Sequence, residues 1–114
     1  MLAITGGVRI YLWKGVTDMR KSYDTLAALV MNHMKADPYD GSLYVFCNRQ
    51  RNRMKILYWD RDGYAMWCKR LEKGTFPFPR GSGEKMTVDS GALALILEGA
   101  FPANRTIRYR RKNS

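Results

Sequence analysis

The sequence predicts an α+β fold: a small single domain with an antiparallel β-meander, one long amphipathic helix and one short C-terminal helix. Three observations predict it. Tyr23, Leu26, Ala27, Val30 and Met34 recur at the three- and four-residue steps of one helix face. Runs rich in β-branched and aromatic residues crowd together between Leu43 and Leu71, separated by short polar segments. A length of 114 residues with 46% hydrophobic content suits one domain and no more.

Taken in order, Val8 to Trp13 reads as a first strand that stops at Lys14-Gly15. The main helix is expected over about residues 18 to 34, with Thr17, Asp18 or Ser22 able to cap its start. Pro38 disfavours helix at Asp37, and Gly41 accepts turn conformations, so Lys35 to Gly41 should end it. Leu43 to Cys47 and Met54 to Trp59 are expected to pair as a hairpin. Asp62-Gly63 signals a second hairpin turn with Gly63 at positive φ, leading into a third strand from Tyr64 to Leu71. Apolar residues of both parities in Ile56 to Trp59 imply a central strand covered on both faces, with a helix on one side. The Pro/Gly-rich stretch Gly74 to Gly83 has no period and reads as a flexible loop. Asp89 should cap a short, buried helix over Ser90 to Glu98, with Val88 and Leu93 as a hydrophobic staple and Gly99 as terminator. On this reading residues 1–103 form the domain and 104–114 a basic mobile tail.

Charge points to a partner. Twenty Lys and Arg face ten Asp and Glu, giving +10 and a pI near 10.0, so an anion is expected: nucleic acid first, an acidic protein or membrane surface after it. Two clusters concentrate the surplus, and a scattered third group adds Arg9, Lys14, Arg20 and Lys21 near the start and Lys69, Arg70 and Lys73 after the Asp-Gly turn. Arg49, Arg51, Arg53 and Lys55 alternate with other residues, and side chains two apart share one side of an extended chain, where guanidinium forks fit phosphate oxygens. Arg105, Arg108, Arg110, Arg111 and Lys112 fill the tail, which has no acid. Trp13, Trp59, Trp67 and the tyrosines among them fit a base-stacking platform less well than core, because they stand beside aliphatic neighbours in strands.

Several classes are disfavoured. Gly91 to Ala100 is about half the roughly 20 residues that a membrane span needs, and Met1 to Gly7 lacks a signal-peptide pattern, so a cytoplasmic protein without a membrane partner is expected. Cys47 and Cys68 with the lone His33 supply no zinc set, and no cofactor of any kind is expected. His33 reads as a helix C-terminal cation or packing residue. Most carboxylates have structural tasks: Asp18 and Asp89 as caps, Asp37, Asp40, Asp60 and Asp62 in turns. An enzyme is therefore not expected.

The segments Thr17 to Val30, Asp37 to Phe46, Lys55 to Gly63 and Lys69 to Phe76, followed by Leu97-Glu98-Gly99, resemble in order and spacing the TnpB-type accessory proteins of bacterial transposons of insertion-sequence family 66. Asp18, Arg20, Trp59, Asp60, Gly63, Arg70 and Leu71 carry the pattern. Phe78 stands where a Trp before Pro is more usual, and the basic tail is outside the pattern. The resemblance implies a small protein encoded beside a separate transposase that holds the catalytic acids. Two functions fit: a non-catalytic factor that binds DNA at element ends or target through the basic surface, or a module that docks on the transposase, with DNA binding incidental.

Overall fold

Seven elements occupy residues 7–98, the part of the chain that the computed structural model describes: β1 (Ile10–Trp13), α1 (Tyr23–Asn32), β2 (Leu43–Cys47), β3 (Arg53–Asp60), β4 (Gly63–Arg70), β5 (Lys85–Val88) and α2 (Ser90–Leu97). They build one five-stranded sheet in the order β4-β3-β2-β1-β5. The expected meander is β2-β3-β4, antiparallel throughout. β1 joins it in parallel beside β2, a pairing that requires a crossover, and α1 is that crossover. β5 closes the other edge antiparallel to β1.

Both faces of the sheet are covered, which is why all five residues of β2 are buried. Val45, Cys47, Met54 and Ile56 point to one core, which Phe76, Phe78, Leu93 and Ile96 complete from the loop and α2. Tyr44, Phe46 and Leu57 point to the other, which Leu26, Ala27, Val30 and Met34 of the α1 segment cover. Among the described residues no helix is long and apolar enough to cross a membrane.

Several expectations need correction. The main helix spans Tyr23–Asn32 rather than 18 to 34, and Ser22 holds its N-cap position with no side-chain cap bond. Asp18 does not cap; its carboxylate accepts from the backbone and guanidinium of Arg20. Tyr23 begins the helix on its outer side, 44% exposed. His33 takes the C-cap position and is exposed. Asp89 caps α2 as expected, accepting from the Ala92 amide at 2.8 Å. That helix is not buried all round, however: Leu93 and Ile96 face the core while Leu95 is 59% exposed. The Gly74 to Gly83 stretch is no free loop, because Phe76 and Phe78 are core residues and the Phe76 amide donates to the Arg51 carbonyl at 2.7 Å.

The second hairpin turn also differs. Asp60 pairs with Gly63, so Arg61 and Asp62 form the two-residue turn, and the positive φ falls on Arg61 (57°), not on Gly63. A cross-strand contact explains the choice. Trp59 lies directly opposite Tyr64 with ring centroids 5.1 Å apart, whereas a turn centred on Asp62-Gly63 would set Trp59 against Met66.

Candidate functional site

The strand directions divide charge between the two ends of the sheet. At one end stand the turn Asn48 to Asn52, the start of β3 and the end of β4, with Arg49, Arg51, Arg53, Lys55, Lys69 and Arg70. At the other stand the segment before β2 and the β3-β4 turn, where Asp37, Asp40, Asp60 and Asp62 outnumber Lys35 and Arg61.

The basic turn is rigidly held. Asn48 Oδ1 accepts from the amides of Asn52 and Arg53 at 3.0 Å each, and its Nδ2 donates to Asn52 Oδ1 at 2.8 Å. Arg51 takes a φ of 59° to close the loop. Arg80 reaches back beneath it, its Nη2 donating to the Asn48 carbonyl and, at 3.4 Å, to that of Arg49. Burial draws the Arg80 pKa below the ordinary arginine value, partly countered by the adjacent Cys47. Burial in turn pushes the Cys47 thiol up to about 11.

This geometry separates the arginines that period-2 spacing placed on one side. The segment is a turn rather than an extended strand, so Arg49 and Arg53 are exposed while Arg51 is half-buried with an enclosed Nε. Lys55 is half-buried too, its Nζ donating to the Lys21 carbonyl at 2.6 Å and so fixing the approach to α1. Arg53 instead gains a neighbour. It lies directly opposite Arg70 across the β3-β4 ladder, and like charges so placed repel. Arg70 is relieved by Glu72 at 3.1 Å; among the described residues no carboxylate lies within 4.0 Å of Arg49 or Arg53.

Two shallow clefts flank Arg53. One, of about 460 Å³, has Met19, Arg53, Lys55, Lys69 and Arg70 among its walls. The second, of about 310 Å³, runs between Asp18 to Arg20 and Asn48 to Gln50. Arg20 is 91% exposed along its side chain although paired with Asp18 at 2.7 Å, a bond that holds the Asp18 carboxyl well below the usual carboxylate range.

The remaining site expectations fall in three places. Trp59, Asp60 and Gly63 belong to the acidic end, where Tyr39 stacks on Tyr64 at 5.6 Å and meets Trp59 edge-on at 5.0 Å. Leu71 packs against the core at the basic end and donates its amide to the Asn52 carbonyl. Arg105, Arg108, Arg110, Arg111 and Lys112 lie outside the described residues. Lys69 and Arg70, named in the sequence only as scattered basic residues, join the basic end through the β3-β4 pairing, and Arg80 joins it through chain return with no local signal. Among the described residues no three His, Cys, Asp or Glu side chains gather as a metal set.

A family model described as IS66 Orf2-like protein matches residues 8–106. The chain belongs to that family, the transposition-associated accessory proteins of IS66 elements. It is also similar to two uncharacterized proteins of Sinorhizobium fredii, y4hO and y4jC, with 33% and 31% identity over 99 residues; the alignments cover 87% of this chain and 86% and 85% of theirs. No solved structure matches the chain.

Proposed function

We propose that the protein is a non-catalytic accessory factor of transposition that holds DNA by its phosphate backbone at the basic end of the sheet. The observation that carries this reading is Arg53: exposed, opposed by Arg70, without a carboxylate partner among the described residues, and shared by both clefts. A protein built for stability alone gains nothing from two arginines facing each other, whereas a phosphate between them turns repulsion into attraction. The turn that carries Arg49 is fixed by Asn48, Arg80 and Phe76, so little ordering is needed on contact. The cations of the 104–114 segment add sequence-independent affinity.

The test is a titration against element-end and unrelated duplexes at several salt concentrations. Replacing Arg49 and Arg53 with Gln removes about two phosphate contacts and should shallow the slope of log K against log salt by about 2, with affinity falling alike on all sequences. Melting should stay near wild type, since surface changes usually cost under about 0.5 kcal/mol. An unaltered slope together with lost capture of the element's transposase would assign the same surface to protein docking.

A further inference from the structure

The sheet ends in two very different edges. β5 is four residues long and begins with Lys85, which leaves little backbone for another chain to pair with. β4 has eight residues, is as long as β3, contains no proline, and carries no charge from Gly63 to Cys68. Its register shows which groups are spare. Leu71 donates its amide to Asn52, and alternation from that pair turns the odd residues of β4 toward β3. The N–H and C=O groups of Tyr64, Met66, Cys68 and Arg70 therefore point away from the sheet, and among the described residues no strand meets them.

We infer that the β4 edge is a self-association surface, pairing antiparallel with β4 of a second copy about a two-fold axis normal to the sheet. Charge selects both occupant and direction. The strand runs from the turn Asp60-Arg61-Asp62, with a formal charge of −1 (two acids and one base), to Lys69 and Arg70. An antiparallel copy lays each basic end against the other's acidic turn, and a parallel one sets like against like. DNA is a poor occupant, because Asp60 and Asp62 repel phosphate and no base edge matches a strand's bonding pattern. A two-fold axis normal to the sheet pairs residues of equal parity, and the outward-facing residues are the even ones. With Met66 on the axis, Tyr64 faces Cys68 of the second copy and Asp62 faces its Arg70. Arg49 and Arg53 stay free of the seam, so only Arg70 is shared with the DNA reading, and the pairing yields a particle with a basic end on each half.

Sedimentation of the full chain over a concentration series reads the association directly. A reversible dimer is expected. Cys68→Pro removes an outward amide at an exposed position while sparing the bonds to β3, and proline is tolerated on an edge whose N–H faces solvent. It should weaken dimerisation by about tenfold or more. Since that variant could also unfold, register is read separately by Met66→Cys with Cys68→Ser, which should form a disulfide dimer under mild oxidation, directly opposed Cα atoms being about 5.5 Å apart. The wild-type chain should not crosslink through Cys68, because the two copies of it lie four residues out of register, about 13 Å apart. A chain that remains monomeric at its highest soluble concentration overturns the inference. So does a dimer that Cys68→Pro leaves intact and Met66→Cys fails to trap. A dimer lost on truncation before Asn104 also overturns it, assigning the contact to residues 104–114.

Discussion

The basic and acidic ends of the sheet are both made of connections that lead into β-strands, yet they are stabilised by different means. At the acidic end Asp37 and Asp40 are partnered locally, while among the described residues the carboxylates of Asp60 and Asp62 have no side-chain bond. Asp40 accepts from the Ser42 amide and the buried Tyr44 hydroxyl, Asp37 from the Tyr39 amide, and three aromatic rings close the surface beside them. At the basic end the charged heads of Arg49 and Arg53 have no such partners among the described residues, and the scaffold beneath them is held from a distance by Phe76, Phe78 and Arg80. The segment before β2 satisfies its own charges, whereas the basic turn is braced from below while its charges stay open.

The largest effect that can break this contrast comes from the brace. Phe76 is fully buried, and its amide is bonded to the basic turn. Phe76→Ala should cost about 3 to 5 kcal/mol, seen as a large fall in melting temperature, with DNA affinity falling in the molecules that remain folded. A small loss would mean that the Gly74 to Gly83 stretch packs only incidentally.

Next comes the acidic end's own bond. The Tyr44 side chain is buried, with its hydroxyl donating at 3.0 Å to Asp40 and lying 3.0 Å from the Asp37 carbonyl, and burial first, then the Asp40 charge, pushes its pKa well above the usual tyrosine value. Tyr44→Phe keeps the ring and removes the donor, so denaturant unfolding should show a loss of about 1 to 3 kcal/mol, as for a bond to a charged acceptor. Because folding raises this pKa, the bond's contribution is complete below the unfolded value near 10 and fades only as pH climbs above it. DNA binding should be untouched, which is what separates the two ends.

These residues also show what could be read in advance. β2, β3 and β4 were legible because each is a contiguous β-rich run and their partners are neighbours in sequence. The parallel β1-β2 pair was not, since its two strands are about 30 residues apart and nothing local announces which edge β1 will choose. β5 escaped notice because Lys85 to Val88 is short and mostly exposed, with no inner face to set a period. Among the site residues, Arg49 and Arg53 were found by charge, but their geometry was misjudged: Asn48 folds the connection into a turn through side-chain bonds that alternation cannot reveal. Arg70 and Arg80 arrive only through tertiary pairing, and so composition announced a basic surface without announcing its membership.

The smallest effects test the β3-β4 turn, where aromatic pairing overrode the Asp-Gly signal. Arg61 sits at a φ of 57°, a region that costs a side-chain-bearing residue about 1 to 2 kcal/mol. Gly63, at negative φ, has open space where a Cβ would go. Arg61→Gly removes the strain but adds freedom to the unfolded chain, so the net change should be between nothing and about 1 kcal/mol in favour of folding. Gly63→Val should be within about 0.5 kcal/mol of neutral, because a β-branched residue suits a strand position with room around it. The two variants read the turn together by thermal melting. If Gly63→Val destabilises strongly while Arg61→Gly does nothing, the turn is centred one residue later, Trp59 no longer faces Tyr64, and the aromatic cluster that closes the acidic end loses its basis. If both behave as expected, the acidic end keeps a mildly strained residue in order to hold its aromatic pair, and the two ends of the sheet differ in local energetics as well as in charge.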